Sequence, residues 1–126
     1  MPKQGRNRGQ ITAEGQTALA ASDCVVGAGW GTASVFALAT TANDVAGNFS
    51  ITASTSGVAQ STATLVITFK TPYAATPRAV LTNATNDNSI DTGRFKAVVT
   101  TTTLTLTHSL TPVDAKVYLG NYVIVA

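Results

Sequence analysis

From Ser34 onward the chain is written in short runs that alternate apolar and polar residues, and each run stops at a turn signal. Phe49, Ile51 and Ala53 alternate with Asn48, Ser50, Thr52 and Ser54. Leu65, Ile67 and Phe69 alternate with Thr64, Val66 and Thr68, and Leu104 and Leu106 with Thr103, Thr105 and Thr107. In extended backbone successive side chains point to opposite faces, so a period of two predicts strands with one buried face. Runs at 34–39, 48–54, 64–69, 79–81, 95–99, 103–107 and 117–125 fit that reading. The last of them carries Tyr118, Gly120, Tyr122 and Ile124 on one face. Between the runs lie Asn43-Asp44-Val45-Ala46-Gly47, a Ser/Thr/Gly stretch ending near Ser61, Pro72 and Pro77, a polar stretch from Asn83 to Gly93, and Thr111-Pro112-Val113-Asp114. Proline cannot sit in a central strand, and Asn, Asp and Gly favour turns. About seven short strands with turns between them predict an all-β fold, an antiparallel β-sandwich.

The first 29 residues read differently. Residues 1–10 are polar and basic, with Lys3, Arg6 and Arg8. They are expected to form an extended arm, and Ile11 and Leu19 are its apolar contact residues. Ala18 to Ala21 fits a short helix or an extended segment equally. Cys24-Val25-Val26 reads as a short strand. Gly27-Ala28-Gly29-Trp30-Gly31 reads as a boundary, because glycine adopts backbone angles other residues avoid. The expected division is arm and linker over 1–29 and a sandwich over 30–126.

Charge narrows the classes of function. Charged residues make up 11% of the 126, against about 25% in an average protein. Threonine, serine and asparagine replace them. A surface of this kind meets other protein surfaces with few charges to desolvate, and it is equally the surface of many plain β-sandwiches. The net charge of +2 does not point to nucleic acid, which calls for a strongly basic patch. Cys24 has no second cysteine to pair with, so an intrachain disulfide is excluded. No run is apolar and long enough to predict a membrane-spanning helix, and the basic N-terminus is not followed by the apolar segment of a signal peptide.

The inventory for catalysis is thin. His108 is the single histidine, too few for a typical zinc site without cysteine partners. No serine sits in a Gly-x-Ser-x-Gly turn. The acids Glu14, Asp23, Asp44, Asp87, Asp91 and Asp114 fall mostly in turns, where Asp bonds its own backbone. Asn86-Asp87-Asn88-Ser89-Ile90-Asp91 places oxygen ligands at alternating positions but lacks the spaced Gly and closing Glu of a calcium loop. The expectation is a protein that binds or assembles, with no catalytic residue, no metal and no cofactor.

One further reading rests on likeness. Gly29-Trp30-Gly31-Thr32, Asn48-Phe49-Ser50-Ile51-Thr52 and Ala63 to Phe69 occur in that order. Thr71-Pro72-Tyr73-Ala74-Ala75-Thr76-Pro77, Ala79-Val80-Leu81-Thr82, Thr100 to Thr107 and Asn121-Tyr122-Val123-Ile124-Val125 follow. This order resembles a β-sandwich module of bacteriophage virion proteins, of the capsid-decoration and fibre type, with a strand order like that of H-type lectins. A strand ending in Phe that leads to a Pro-aromatic-Ala-x-x-Pro bend is the most specific part. The resemblance implies a structural protein of the virion, often trimeric, assembled in the host cytoplasm. Its partners would be the major capsid protein and further copies of itself. The alternative is a tail- or head-fibre module that binds a host glycan. Trp30, Tyr73, Tyr118 and Tyr122 are then the candidate interface or glycan-stacking aromatics.

Overall fold

The computed structural model describes residues 17–54, 62–84 and 95–126. Two antiparallel four-stranded sheets face each other. The first contains β1 (Cys24–Val26), β4 (Thr64–Thr68), β7 (Thr103–His108) and β6 (Phe95–Val99), in the order β1-β4-β7-β6. The second contains β2 (Val35–Leu38), β3 (Ala46–Thr52), β8 (Val117–Val125) and β5 (Arg78–Ala84), in the order β2-β3-β8-β5. The all-β sandwich expected from the alternation is therefore the fold.

Eight strands are present where the runs after Trp30 gave seven. The eighth is β1, which pairs with β4 through Cys24↔Ile67, Val25↔Val66 and Val26↔Leu65. The sandwich thus begins before Trp30, inside the stretch assigned to arm and linker. Ala18 bridges Asn43, and the Leu19 N–H donates to the Ala42 carbonyl at 2.8 Å. Leu19, expected on the arm, is a core residue that is only 6% exposed. The one large apolar side chain of this alanine segment gains more from the nearby core than from solvent. Lys3, Arg6, Arg8 and Ile11 lie outside the described residues, as does the Asp87–Asp91 loop.

Burial follows the alternation strand by strand. Leu104, Leu106 and His108 of β7 point inward while Thr103, Thr105 and Thr107 are partly exposed. On β8, Tyr118, Gly120, Tyr122 and Ile124 point inward. With Trp30, Phe49, Ile51, Leu65, Ile67 and Phe69 they form a single core between the sheets. β8 is flanked on both sides, by β3 and β5. Its pairing with β3 sets two of the inward aromatics opposite glycines: Phe49 faces Gly120, and Tyr122 faces Gly47. A Cβ on Gly120 would stand 2.5 Å from the Phe49 ring, and one on Gly47 would stand 2.6 Å from the Tyr122 hydroxyl. The rings fill the space the glycines leave, and this fixes the register of the two central strands.

The Gly27–Gly31 stretch is a packed turn. Ala28–Trp30 forms a single 3-10 turn. Gly29 abuts the backbone of Ala63, so a Cβ there would lie 2.6 Å from Ala63 Cα and N. Gly31 has φ +92°, the left-handed side that favours glycine. Trp30 is fully buried.

Candidate partner-binding surface

The outer face of the β1-β4-β7-β6 sheet is made of the residues that alternate with the core. Register aligns them in rows across the strands. Val25, Val66, Thr105 and Val98 form the middle row. Thr64, Thr107 and Lys96 form a row on one side, and Thr68 and Thr103 pair on the other. Val25 and Val98, at the two ends of the middle row, are 62% and 64% exposed. Across these rows the only charged side chain is Lys96. A partner covering this face would have to desolvate few charges, which is the costly part of burying a polar surface. Threonine offers a methyl group for packing and a hydroxyl that donates or accepts. Strands in a sheet lie about 4.8 Å apart, so the rows present a regular lattice of methyl and hydroxyl groups. The polar positions of β4 and β7 are legible in their alternation. The row itself, with Val25 and Val98 at its ends, depends on strand pairing that no local pattern encodes.

The aromatic candidates lie elsewhere. Trp30 donates its indole N–H to the Thr64 carbonyl at 3.0 Å. It packs against Tyr118, His108 and Phe95 with ring centroids 5.3, 5.8 and 6.1 Å away. Tyr118 is 1% exposed, and its hydroxyl accepts the Val113 N–H at 2.8 Å. Tyr122 is also 1% exposed and donates to the Asn43 carbonyl at 2.7 Å. Burial pushes its phenol well above the ordinary tyrosine range. These three rings are core, and none is a platform for a sugar. Tyr73 is half-buried, edge-on to Phe69, and donates its hydroxyl to the Asp44 carbonyl at 2.6 Å. Burial, and after it the Asp44 charge, raises its pKa. All eight aromatic residues of the chain lie within the described residues, and none belongs to the exposed large hydrophobics.

The polar groups inside are matched. His108 is buried in the cluster around Trp30, with Nδ1 2.7 Å from the Leu110 carbonyl. A carbonyl only accepts, so Nδ1 carries the proton. Asp44, 6% exposed, accepts the backbone N–H of Lys70 at 2.7 Å and of Thr71 at 2.9 Å. It anchors the link between β4 and β5 and lines a hollow of about 200 Å³ with Val45, Thr71, Pro72 and Tyr73. Asn43 beside it accepts the N–H groups of Val45 and Ala46 through Oδ1. Cys24 is half-buried, and burial, followed by the Asp23 charge, pushes its thiol up to about 11. Thiolate is scarce at neutral pH under those conditions, so Cys24 is a poor nucleophile.

Asp23 forms an ion pair with Lys70 at 2.8 Å and accepts the Ala20 N–H at 2.8 Å. The Lys70 hydrogen bond, then that of Ala20, holds its carboxyl below the ordinary 3.8. A depressed folded-state pKa means the unfolded chain binds the proton more readily. The resulting stabilisation is full above 3.8 and fades as pH falls through the lower folded value. The melting temperature of the native protein is therefore expected to exceed that of Asp23→Asn at neutral pH, and the gap to close in strong acid. A gap independent of pH would assign the effect to something other than ionisation.

Among the described residues, no group of three or more His, Cys, Asp or Glu side chains converges in a way that could hold a metal ion. Comparison with protein-family profiles, curated proteins and solved structures finds no match to this chain.

Proposed function

We propose that this chain is a structural protein of a bacteriophage particle, a capsid decoration protein that docks on the outer capsid surface. Its partners are the major capsid protein and neighbouring copies of itself, and it resides in the virion after assembly in the host cytoplasm. The observation that carries the proposal is the set of Thr/Val rows on the outer face of the β1-β4-β7-β6 sheet, in which Lys96 is the one charged side chain among the described residues. A cement protein needs a rigid scaffold that offers a broad, weakly charged surface to a repeated protein lattice, and this face supplies one. The basic residues Lys3, Arg6 and Arg8 add a second, electrostatic contact at the N-terminus. The fibre-type alternative draws less support, because glycan recognition commonly stacks a sugar on an accessible ring and Trp30, Tyr118 and Tyr122 are enclosed.

Purified protein mixed with capsids that lack it is expected to give ordered density at regular lattice positions by cryo-electron microscopy. Deleting residues 1–10 is expected to weaken that binding while the circular-dichroism spectrum of the sandwich is unchanged. Density confined to a tail or vertex, or none at all, would overturn the decoration reading. Full binding by the truncated protein would remove the N-terminal contact from it.

A further inference from the structure

Among the described residues each sheet ends in two edge strands: β1 and β6 in one, β2 and β5 in the other. An open edge displays unpaired N–H and C=O groups, and proteins blunt such edges with short strands, charge or proline. Three of these four edges carry such a device. β1 is three residues long. β5 begins with Arg78 directly after Pro77. β6 holds the exposed Lys96. The fourth, β2, reads Val35-Phe36-Ala37-Leu38 and has neither charge nor proline.

Register shows which of its groups face outward. The Ala39 N–H donates to the Asn48 carbonyl at 3.0 Å, in line with the pairs Ala37↔Ser50 and Val35↔Thr52. Antiparallel ladders alternate, so Val35, Ala37 and Ala39 bond to β3 while the backbone groups of Phe36 and Leu38 point away from it. Among the described residues nothing takes up those groups. The 3-10 turn Ala21–Asp23 lies near β2, but its own backbone bond runs from Asp23 to Ala20.

We propose that β2 is a self-association edge, on which two copies pair their β2 strands antiparallel about a two-fold axis through Ala37. Phe36 of each copy exchanges N–H···O=C bonds with Leu38 of the other. The two Ala37 residues then face each other as a non-hydrogen-bonded pair, with Cα atoms about 4.5 Å apart. A methyl side chain suits that close approach. A two-fold axis brings like groups together, so a charged strand would repel itself, and β2 carries no charge. Phe36 and Leu38, both half-buried, gain cover from their counterparts on the inner side. Val35, 62% exposed, lies opposite the partner's Ala39 on the outer side. The pairing is isologous and therefore closes at two copies. A four-residue edge buries less than the roughly 800 Å² per partner of a stable interface, so the dimer is reversible and concentration-dependent. It does not depend on what the Thr/Val face binds.

Sedimentation over a concentration series is expected to show the mass rising from 12.9 kDa towards twice that value. Ala37→Lys leaves the backbone bonds to β3 in place. It is expected to hold the protein at the monomer mass with an unchanged melting temperature. Ala37→Cys in a Cys24→Ser background is expected to form a disulfide-linked dimer under oxidation well before Val98→Cys in the same background does. A monomer at every concentration, association untouched by Ala37→Lys, or equal cross-linking at positions 37 and 98 would each overturn the proposal.

Discussion

Trp30→Ala is expected to lower the unfolding free energy by about 4 kcal/mol, the range found when a buried aromatic is truncated to alanine. The indole is fully buried, and three rings lean on it. It also ties the sheets together. Its N–H bonds the Thr64 carbonyl of β4, and its own carbonyl accepts the Ser54 N–H just beyond β3. Truncation leaves a cavity whose walls belong to opposite sheets, so neither can relax into it without shifting the other. Urea denaturation followed by near-ultraviolet circular dichroism would measure the loss. Native domains hold about 5–15 kcal/mol in reserve, so the variant is expected to be marginal at elevated temperature. A loss below about 1 kcal/mol, less than the usual effect of truncating such a ring, would mean that Trp30 is not the keystone of this core.

The second large effect is expected at Asp44. Its carboxylate receives two backbone N–H groups from the β4–β5 link, and hydrogen bonds to a charged acceptor contribute about 1.5–3 kcal/mol each. Asp44→Ala removes both and leaves two donors to find water in the adjoining hollow. A net loss of about 3 kcal/mol follows from those figures once partial rehydration is allowed for. Asp44→Asn keeps one accepting oxygen and is expected to fall between the alanine variant and the native protein. Amide hydrogen exchange at Lys70 and Thr71 gives the local readout, and both sites should lose protection in Asp44→Ala. Native-like protection there would show that water replaces the carboxylate at no cost.

The parts of this architecture that were legible in the sequence are those governed by local rules. The alternations of β4, β7 and β8 give their buried faces directly, because one face of each strand gathers its bulkiest apolar or aromatic side chains: Leu65 and Ile67, Leu104 and Leu106, Tyr118 and Tyr122. Pro72 and Pro77 mark the break between β4 and β5 because proline has no N–H to give to a strand ladder. β1 is harder to read: three residues are too few to show a period, and its place is settled by pairing with β4. Leu19 sits among alanines that fit a short helix or an extended arm equally, yet one large apolar side chain next to an open core is enough to pull a segment in. The Gly-rich turn around Trp30 is ambiguous in sequence for a more general reason. Glycine marks flexible linkers, and it also marks places where two backbones touch. Only the proximity of Ala63 to Gly29 decides between them. Asp44 gave the ordinary signal of a turn residue, and its partners lie 26 and 27 positions away. The Thr/Val face combines both cases: its residue types are visible in the sequence, whereas its rows need the register.

The place of β8 also has a consequence for how the chain is made. Ribosomes synthesise β8 after the other seven strands, yet it lies between β3 and β5 in its sheet. Until Val117–Val125 has emerged, β3 and β5 have no neighbour on their inner sides, and the Phe49 ring lacks the space over Gly120 that it fills. One sheet can assemble from β1, β4, β6 and β7 while its counterpart waits as separate pieces. Sheets dominated by such distant pairings close slowly, and their unpaired strands are prone to associate with other chains in the interval. Premature termination anywhere before Val117 would therefore leave half the sandwich without its middle, and the product would be one for proteases and chaperones to clear.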